Sequence, residues 1–92
     1  MAYELLYWPE ADEAIRRLEA DPAMKPALRA VDRTLARLAD DPFAASLGTV
    51  PFTSDEYGGV CATPARLDDW YVFWQKGEPG TIEIIYVGVL QR

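Results

Sequence analysis

No histidine occurs in the chain, and cysteine occurs once, at position 61. The first absence removes the imidazole general base, any His-containing triad, and the common zinc and haem ligand. The second removes an internal disulfide and a multi-cysteine zinc site, and it points to a reducing compartment, the cytoplasm. No metal site or cofactor is expected. Long apolar runs are missing too: no stretch of about 18 apolar residues is present, so no membrane span is expected. The opening residues, Met1 to Glu10, lack both the basic segment and the apolar run of a signal peptide. Cations are scarce, with 9 Lys and Arg against 15 Asp and Glu, a net charge of −6. That balance counts against broad, non-specific nucleic-acid binding, which needs a positive field.

What is present is hydrophobic and aromatic. Half of the 92 residues are apolar, and three are Trp. A chain of this length makes one domain, 1–92, and so short a domain buries only about 60–65% of its unfolded surface, so its core must pack well. The richest stretch runs from Arg66 to Gly88. Two runs of β-branched and aromatic residues flank the turn Gly77-Glu78-Pro79-Gly80, which is a hairpin pattern. Alternation puts Trp70, Val72 and Trp74 on one face and Tyr71, Phe73 and Gln75 on the other. On the return strand it groups Ile82, Ile84 and Tyr86 against Glu83, Ile85 and Val87. Both faces are largely apolar, so the hairpin should be central, with helices over at least one face.

The remaining elements follow from punctuation. Ala2 to Trp8 alternates as a strand, with Tyr3, Leu5 and Tyr7 on one face, and Pro9 ends it and opens a helix. Glu10, Asp12 and Glu13 suit the first turn of that helix, which should reach about Ala20. Asp21-Pro22 is a cap followed by a proline, and Pro26 requires either a turn over 22–25 or a distorted first turn in the next helix. Leu28, Val31, Leu35 and Leu38 mark one face of that second helix, which stops before Asp41-Pro42. The short connection makes the two helices an antiparallel hairpin. Phe43 to Tyr57 is expected to be a loop with a short extended piece around Thr49 to Phe52. A strand follows from Val60, and Pro64 places it at a sheet edge or puts a bulge in it. The sum is an α+β domain, β-α-α-β-β-β, with a helical hairpin packed on a mainly antiparallel four-stranded sheet.

This order and wording resemble the RelE/ParE superfamily, the toxins of type II toxin–antitoxin systems. The likeness covers nearly the whole chain. It is carried by Arg66-Leu67-Asp68-Asp69-Trp70-Tyr71-Val72-Phe73-Trp74, by Ile84-Ile85-Tyr86-Val87-Gly88, and by the helix end Leu38 to Pro42. The resemblance implies a cognate antitoxin as partner, and ribosome-bound messenger RNA or DNA gyrase as target. In the RNA-cleaving type, cations on the strands neutralise the phosphate and so lower the barrier to 2′-hydroxyl attack, without a metal. Matched residue by residue, Arg66 takes the place of the first strand Arg. Tyr71 stands where a catalytic Arg is expected, Val89 where His or Lys is expected, and Leu90 where a further Arg is expected. Arg92 matches a trailing basic residue. Arg66, Tyr71 and Arg92 are therefore the implied catalytic set, and a guanidinium replaced by a phenol or by Leu loses a permanent charge. The alternative reading is a non-catalytic interaction module on the same scaffold, paired with itself or with another protein.

Each singled-out residue also has a plainer reading. Arg66 is expected to pair with Asp68, Asp69 or Glu83, with a phosphate grip as the alternative. Tyr71 and Tyr86 are expected to pack. Lys25, Arg29, Arg33 and Arg37 recur every fourth residue and form a basic stripe on the second helix. The stripe is either a surface for an acidic partner or nucleic acid, or a solvated face with Asp32 and Asp40 paired to Arg29 and Arg37. Trp70 and Trp74, with Trp8, either line a partner groove or fill the core. Cys61 reads as a small buried hydrophobe.

Overall fold

The computed structural model describes residues 2–56 and 58–90. Strand β1 (Glu4–Tyr7) leads into helix α1 (Pro9–Ala20), and a single 3₁₀ turn (Pro22–Met24) leads into helix α2 (Lys25–Asp40). A second 3₁₀ turn (Ala45–Leu47) precedes β2 (Val50–Ser54), β3 (Gly58–Pro64), β4 (Trp70–Lys76) and β5 (Thr81–Val89). The five strands form one sheet in the order β1-β5-β4-β3-β2, with β1 parallel to β5 and the other neighbours antiparallel.

The helix boundaries follow the prolines. Pro9 occupies the first turn of α1, with Glu10 and Asp12 beside it and Arg17 in the last turn. These charges oppose the helix dipole at both ends. Asp21 leaves the helix in an extended conformation, and its carboxylate accepts the Ala23 N–H at 3.0 Å, capping the 3₁₀ turn. Pro26 falls in the first turn of α2, where its missing N–H costs nothing, so the helix starts at Lys25 without a kink. At the other end Asp41 is extended, as the residue before a proline tends to be.

Three expectations need correction. The sheet has five strands, not four, because the short extended piece expected around Thr49 to Phe52 is a full strand, β2, paired along its length with β3 from Val50↔Ala62 to Ser54↔Gly58. β3 is therefore internal. Pro64 sits at its end, beyond the reach of β2, while the edge strand β2 holds Pro51. Third, a register shift opposes Phe73 to Tyr86 but Trp74 to Ile84, so Ile85 is an extra residue in β5. Beyond this bulge Tyr86 changes sides and no longer shares a face with Ile82 and Ile84.

The helices cover one face of the sheet. Ala11, Ala27 and Ala30 let the helices approach the strands, and Val31, Leu35 and Leu38 meet Val72, Trp74, Ile82, Ile84 and Val87. Leu47, fixed by the turn that Gly48 closes at φ 70°, plugs the same layer. Trp74 is 2% exposed, and its indole N–H donates to Thr63 Oγ1 at 2.8 Å. Thr63 in turn shares a 2.6 Å hydrogen bond with Thr49.

Candidate functional site

The second face of the sheet has no helix over it. Alternation and the bulge bring Trp8, Phe52, Val60, Ala62, Tyr71, Phe73, Ile85 and Leu90 together there as a smaller apolar cluster. Phe73 lies at its centre, with ring centroids of Phe52 at 5.4 Å, Tyr71 at 6.3 Å and Tyr86 at 6.3 Å, the last nearly parallel. Tyr86 leans along its strand over Gly88, where a Cβ would overlap its ring. Gly88 is thus the reason an aromatic ring can lie flat on the sheet here. Leu6, Val50 and Tyr86 remain 45%, 47% and 40% exposed. Their registers place all three on this face. Three of the six exposed large apolar side chains among the described residues thus lie on this uncovered face, and such exposure around a packed aromatic centre suits an interaction surface.

Register places two carboxylates on this face, those of Glu4 and Glu83, and the second is held by neighbouring donors. Glu83 Oε1 accepts Gln75 Nε2 at 2.9 Å and Trp8 Nε1 at 3.0 Å. These two donors, Gln75 first, hold its carboxyl below the usual carboxylate range. The arrangement ties the residue after β1 to the central hairpin. Among the described residues the five strands hold a single Lys or Arg, Lys76, which lies opposite Ile82 at the end of β4. Its register places it on the helix side.

The candidate residues disperse. Tyr71 lies half-buried on the open face, opposite Gly88. Arg66 is in the β3–β4 turn with φ 63°, followed by Asp68 at φ 49°, so two side-chain-bearing residues occupy the left-handed region. Its guanidinium donates to the Ser46 carbonyl at 3.0 Å, and the expected pairing with Asp68, Asp69 or Glu83 does not form. The carbonyl twenty residues upstream wins because the turn aims the side chain at the 3₁₀ segment. Arg92 lies outside the described residues. Leu90 packs against the open-face cluster.

Trp74 corrects the partner-surface expectation: it is in the core and offers nothing to a partner. Trp70 is half-buried on the helix side, in the lining of a groove beside α1. Lys25, Arg29, Arg33 and Arg37 are all exposed along α2. Among the described residues the one ion pair is Arg17–Glu13 at 2.6 Å, so the pairings of Arg29 with Asp32 and of Arg37 with Asp40 do not form. Arg37 instead donates to Ser46 Oγ at 2.9 Å. Cys61 is half-buried, and burial pushes its thiol pKa up, which disfavours the thiolate. No three His, Cys, Asp or Glu side chains gather as a metal set among the described residues, and none of their helices is long and apolar enough to cross a membrane.

Sequence reasoning did not place Leu6, Val50 and Phe52 at the site. The alternation of Val50 and Phe52 around Pro51 was the available signal, but only pairing with β3 fixes which side they face.

No protein-family model matches the sequence, and no curated protein matches it. Solved structures do. A YoeB/ParE toxin from Agrobacterium tumefaciens superposes with a TM-score of 0.74 at 11% identity, covering 96% of this chain and 99% of that one. The archaeal RelE–RelB complex from Pyrococcus horikoshii gives 0.68 at 17% identity, covering 100% and 99%. The toxin–antitoxin complex RelBE2 from Mycobacterium tuberculosis gives 0.65 at 16% identity, covering 98% and 100%. At such identities what is shared is architecture, and over its whole length this protein has the fold of the RelE/ParE-type toxins.

Proposed function

We propose that this chain is a RelE/ParE-like toxin-family protein of the cytoplasm that works by binding a protein, its cognate antitoxin, and that it does not cut RNA. The carrying observation is the charge of the strands: one cation, Lys76, and that one on the helix side. Cleavage through 2′-hydroxyl attack builds negative charge on phosphorus, and among the described residues the strands bring this face no guanidinium or ammonium group to stabilise it. The phenol of Tyr71 cannot replace a fixed positive charge. The same face is suited to protein, because Leu6, Val50 and Tyr86 present apolar surface around a packed aromatic centre. Three of the structural neighbours were solved as complexes, two of them named toxin–antitoxin complexes. Exposed apolar surface of this kind also fits a second copy of the chain, which is the competing reading.

The test combines two measurements. Ribosomes loaded with messenger RNA should leave it intact in the presence of the purified chain, and a cleaved message overturns the proposal. Co-expression with the product of the adjoining gene should give a stoichiometric heterocomplex. A chain that only self-associates favours the homodimer instead. The double variant Tyr71→Arg, Leu90→Arg adds a discriminating arm. Cleavage gained by that variant marks a toxin that has lost its phosphate grip, whereas no gain marks a scaffold used for binding alone. Growth arrest with intact message would direct the face to a protein target such as gyrase.

A further inference from the structure

We infer that the groove between α1 and the end of β5 seats a basic, amphipathic segment of the partner protein. The identity of that partner rests on the antitoxin reading above, but the chemistry of the segment does not. The groove has a volume of about 510 Å³ and is lined by both polar and apolar groups. Its floor is apolar: Leu18 and Val87 are buried, Trp70 and Met24 are half-buried, and Val89 is 47% exposed. Its rim is acidic. Glu10, Glu13 and Asp21 line it with one cation, Arg17, which is taken up by Glu13 at 2.6 Å. Three acids and one cation leave a rim charge of −2 within a chain of −6. Asp68 and Asp69, exposed and next to Trp70 in the chain, extend the same sign.

This combination selects its occupant. An apolar floor between a helix and a strand accepts the apolar stripe of a helix or an extended segment. An acidic border favours Lys and Arg on the flanks and steers them to the groove. Nucleic acid is repelled by that border. A second copy of this chain could bring the α2 cations, but the apolar residues of α2 are turned into its own core. The α2 of a second copy therefore brings cations without an apolar stripe beside them to lay on Trp70 and Val89.

The experiment uses the full chain and a fluorescent synthetic helix of Leu and Lys about 20 residues long, above the length at which isolated helices are marginal. A Leu–Glu counterpart serves as control, and anisotropy is the readout. The Lys peptide should bind and the Glu peptide should not. Glu10→Gln with Asp21→Asn should weaken binding about three- to tenfold, the range for removing two exposed charge contacts. Asn at position 21 keeps the cap on Ala23. Val89→Lys, on an exposed strand position, should abolish binding. Asp55→Asn with Glu56→Gln, acids at the β2–β3 turn, should leave it unchanged. Amide shifts should fall on Met24, Trp70 and Val89. Equal weakening by the Asp55/Glu56 pair, or shifts centred on Leu6, Val50 and Phe52, overturns the inference. The two proposals fail separately. An antitoxin that still binds Val89→Lys undamaged removes this groove and leaves the antitoxin reading standing. A chain that takes the Lys peptide in the groove but captures no antitoxin does the reverse.

Discussion

Replacing Thr63 with Val isolates one hydrogen bond at the centre of the helix-side core. Thr63 is fully buried in β3 and accepts the Trp74 indole N–H at 2.8 Å, while sharing a 2.6 Å bond with Thr49. Valine has nearly the same shape, so the substitution opens no cavity, but it leaves the Trp74 N–H, on a side chain 2% exposed, without an acceptor. Stranding a buried donor costs about 1–3 kcal/mol. Burying a methyl in place of a hydroxyl returns part of this, so a net loss of about 1–2 kcal/mol is expected. In a domain of this size that lowers the Tm by about 4–16 °C, at about 4–8 °C per kcal/mol. Urea unfolding followed by tryptophan fluorescence gives the same quantity as a shift in midpoint at constant slope. Thr49→Val is the internal control. Thr49 is only half-buried, and its loss leaves Trp74 its acceptor, so it should cost clearly less. A Thr63→Val protein within about 0.5 kcal/mol of the parent, the usual scatter of surface substitutions, would refute the reasoning.

Ile84 is fully buried opposite Trp74, and Ile84→Ala should cost about 2–5 kcal/mol, a large part of the roughly 5–15 kcal/mol that holds a domain together, measured by the same urea titration. Gly80 closes the β4–β5 turn at φ 83°, so Gly80→Ala should cost about 1–2 kcal/mol with the fold unchanged by circular dichroism. Glu83 has its pKa lowered in the folded state by Gln75 and Trp8. In the unfolded chain it therefore takes up its proton at a higher pH than in the folded one. Its contribution is present above the ordinary carboxylate pKa and is lost as pH falls through the folded value. Thermal melts from pH 7 to pH 2 should show a smaller acid-induced drop in Glu83→Gln than in the parent, and parallel profiles would contradict the assignment.

The parts of the fold that prolines and helical periodicity control were legible in the sequence. Pro9, Pro22 and Pro42 act locally, through a fixed φ and a missing donor, so α1 and α2 ended where the sequence placed them. The central hairpin was legible for the same reason, because Gly77 to Gly80 form a turn whatever lies around them. What was not legible depends on partners distant in the chain. An extended piece around Thr49 to Phe52 was legible, but β2 carries Pro51, and only the ladder with β3 carries it on to Ser54 and makes it a fifth strand. Arg66 was surrounded by acids in the sequence, yet the positive φ in its turn directs it to Ser46. Trp70 and Trp74 looked alike as aromatics on one face, but one is at the rim and the other in the interior, a distinction that strand order and helix placement decide.

The bulge at Ile85 links the fold to the candidate site. Strict alternation along β5 would send Tyr86 beneath the helices with Ile84, into a layer already filled by Leu38, Leu47 and Trp74. One extra residue lets Ile84 and Ile85 both be fully buried, on opposite sides of the sheet, and turns Tyr86 outwards against Phe73. The aromatic character of the open face is therefore a consequence of register, not of composition. The cations of α2 and the acids of α1 lie on the helix side, and the open face holds rings and aliphatic side chains with the Glu83 carboxylate at its rim. A phosphate-handling surface needs its cations where the bulge and the strands have placed Tyr71, Phe73 and Tyr86. Among the described residues the strands put rings and not cations at that position, and this is the observation on which the protein-binding proposal stands.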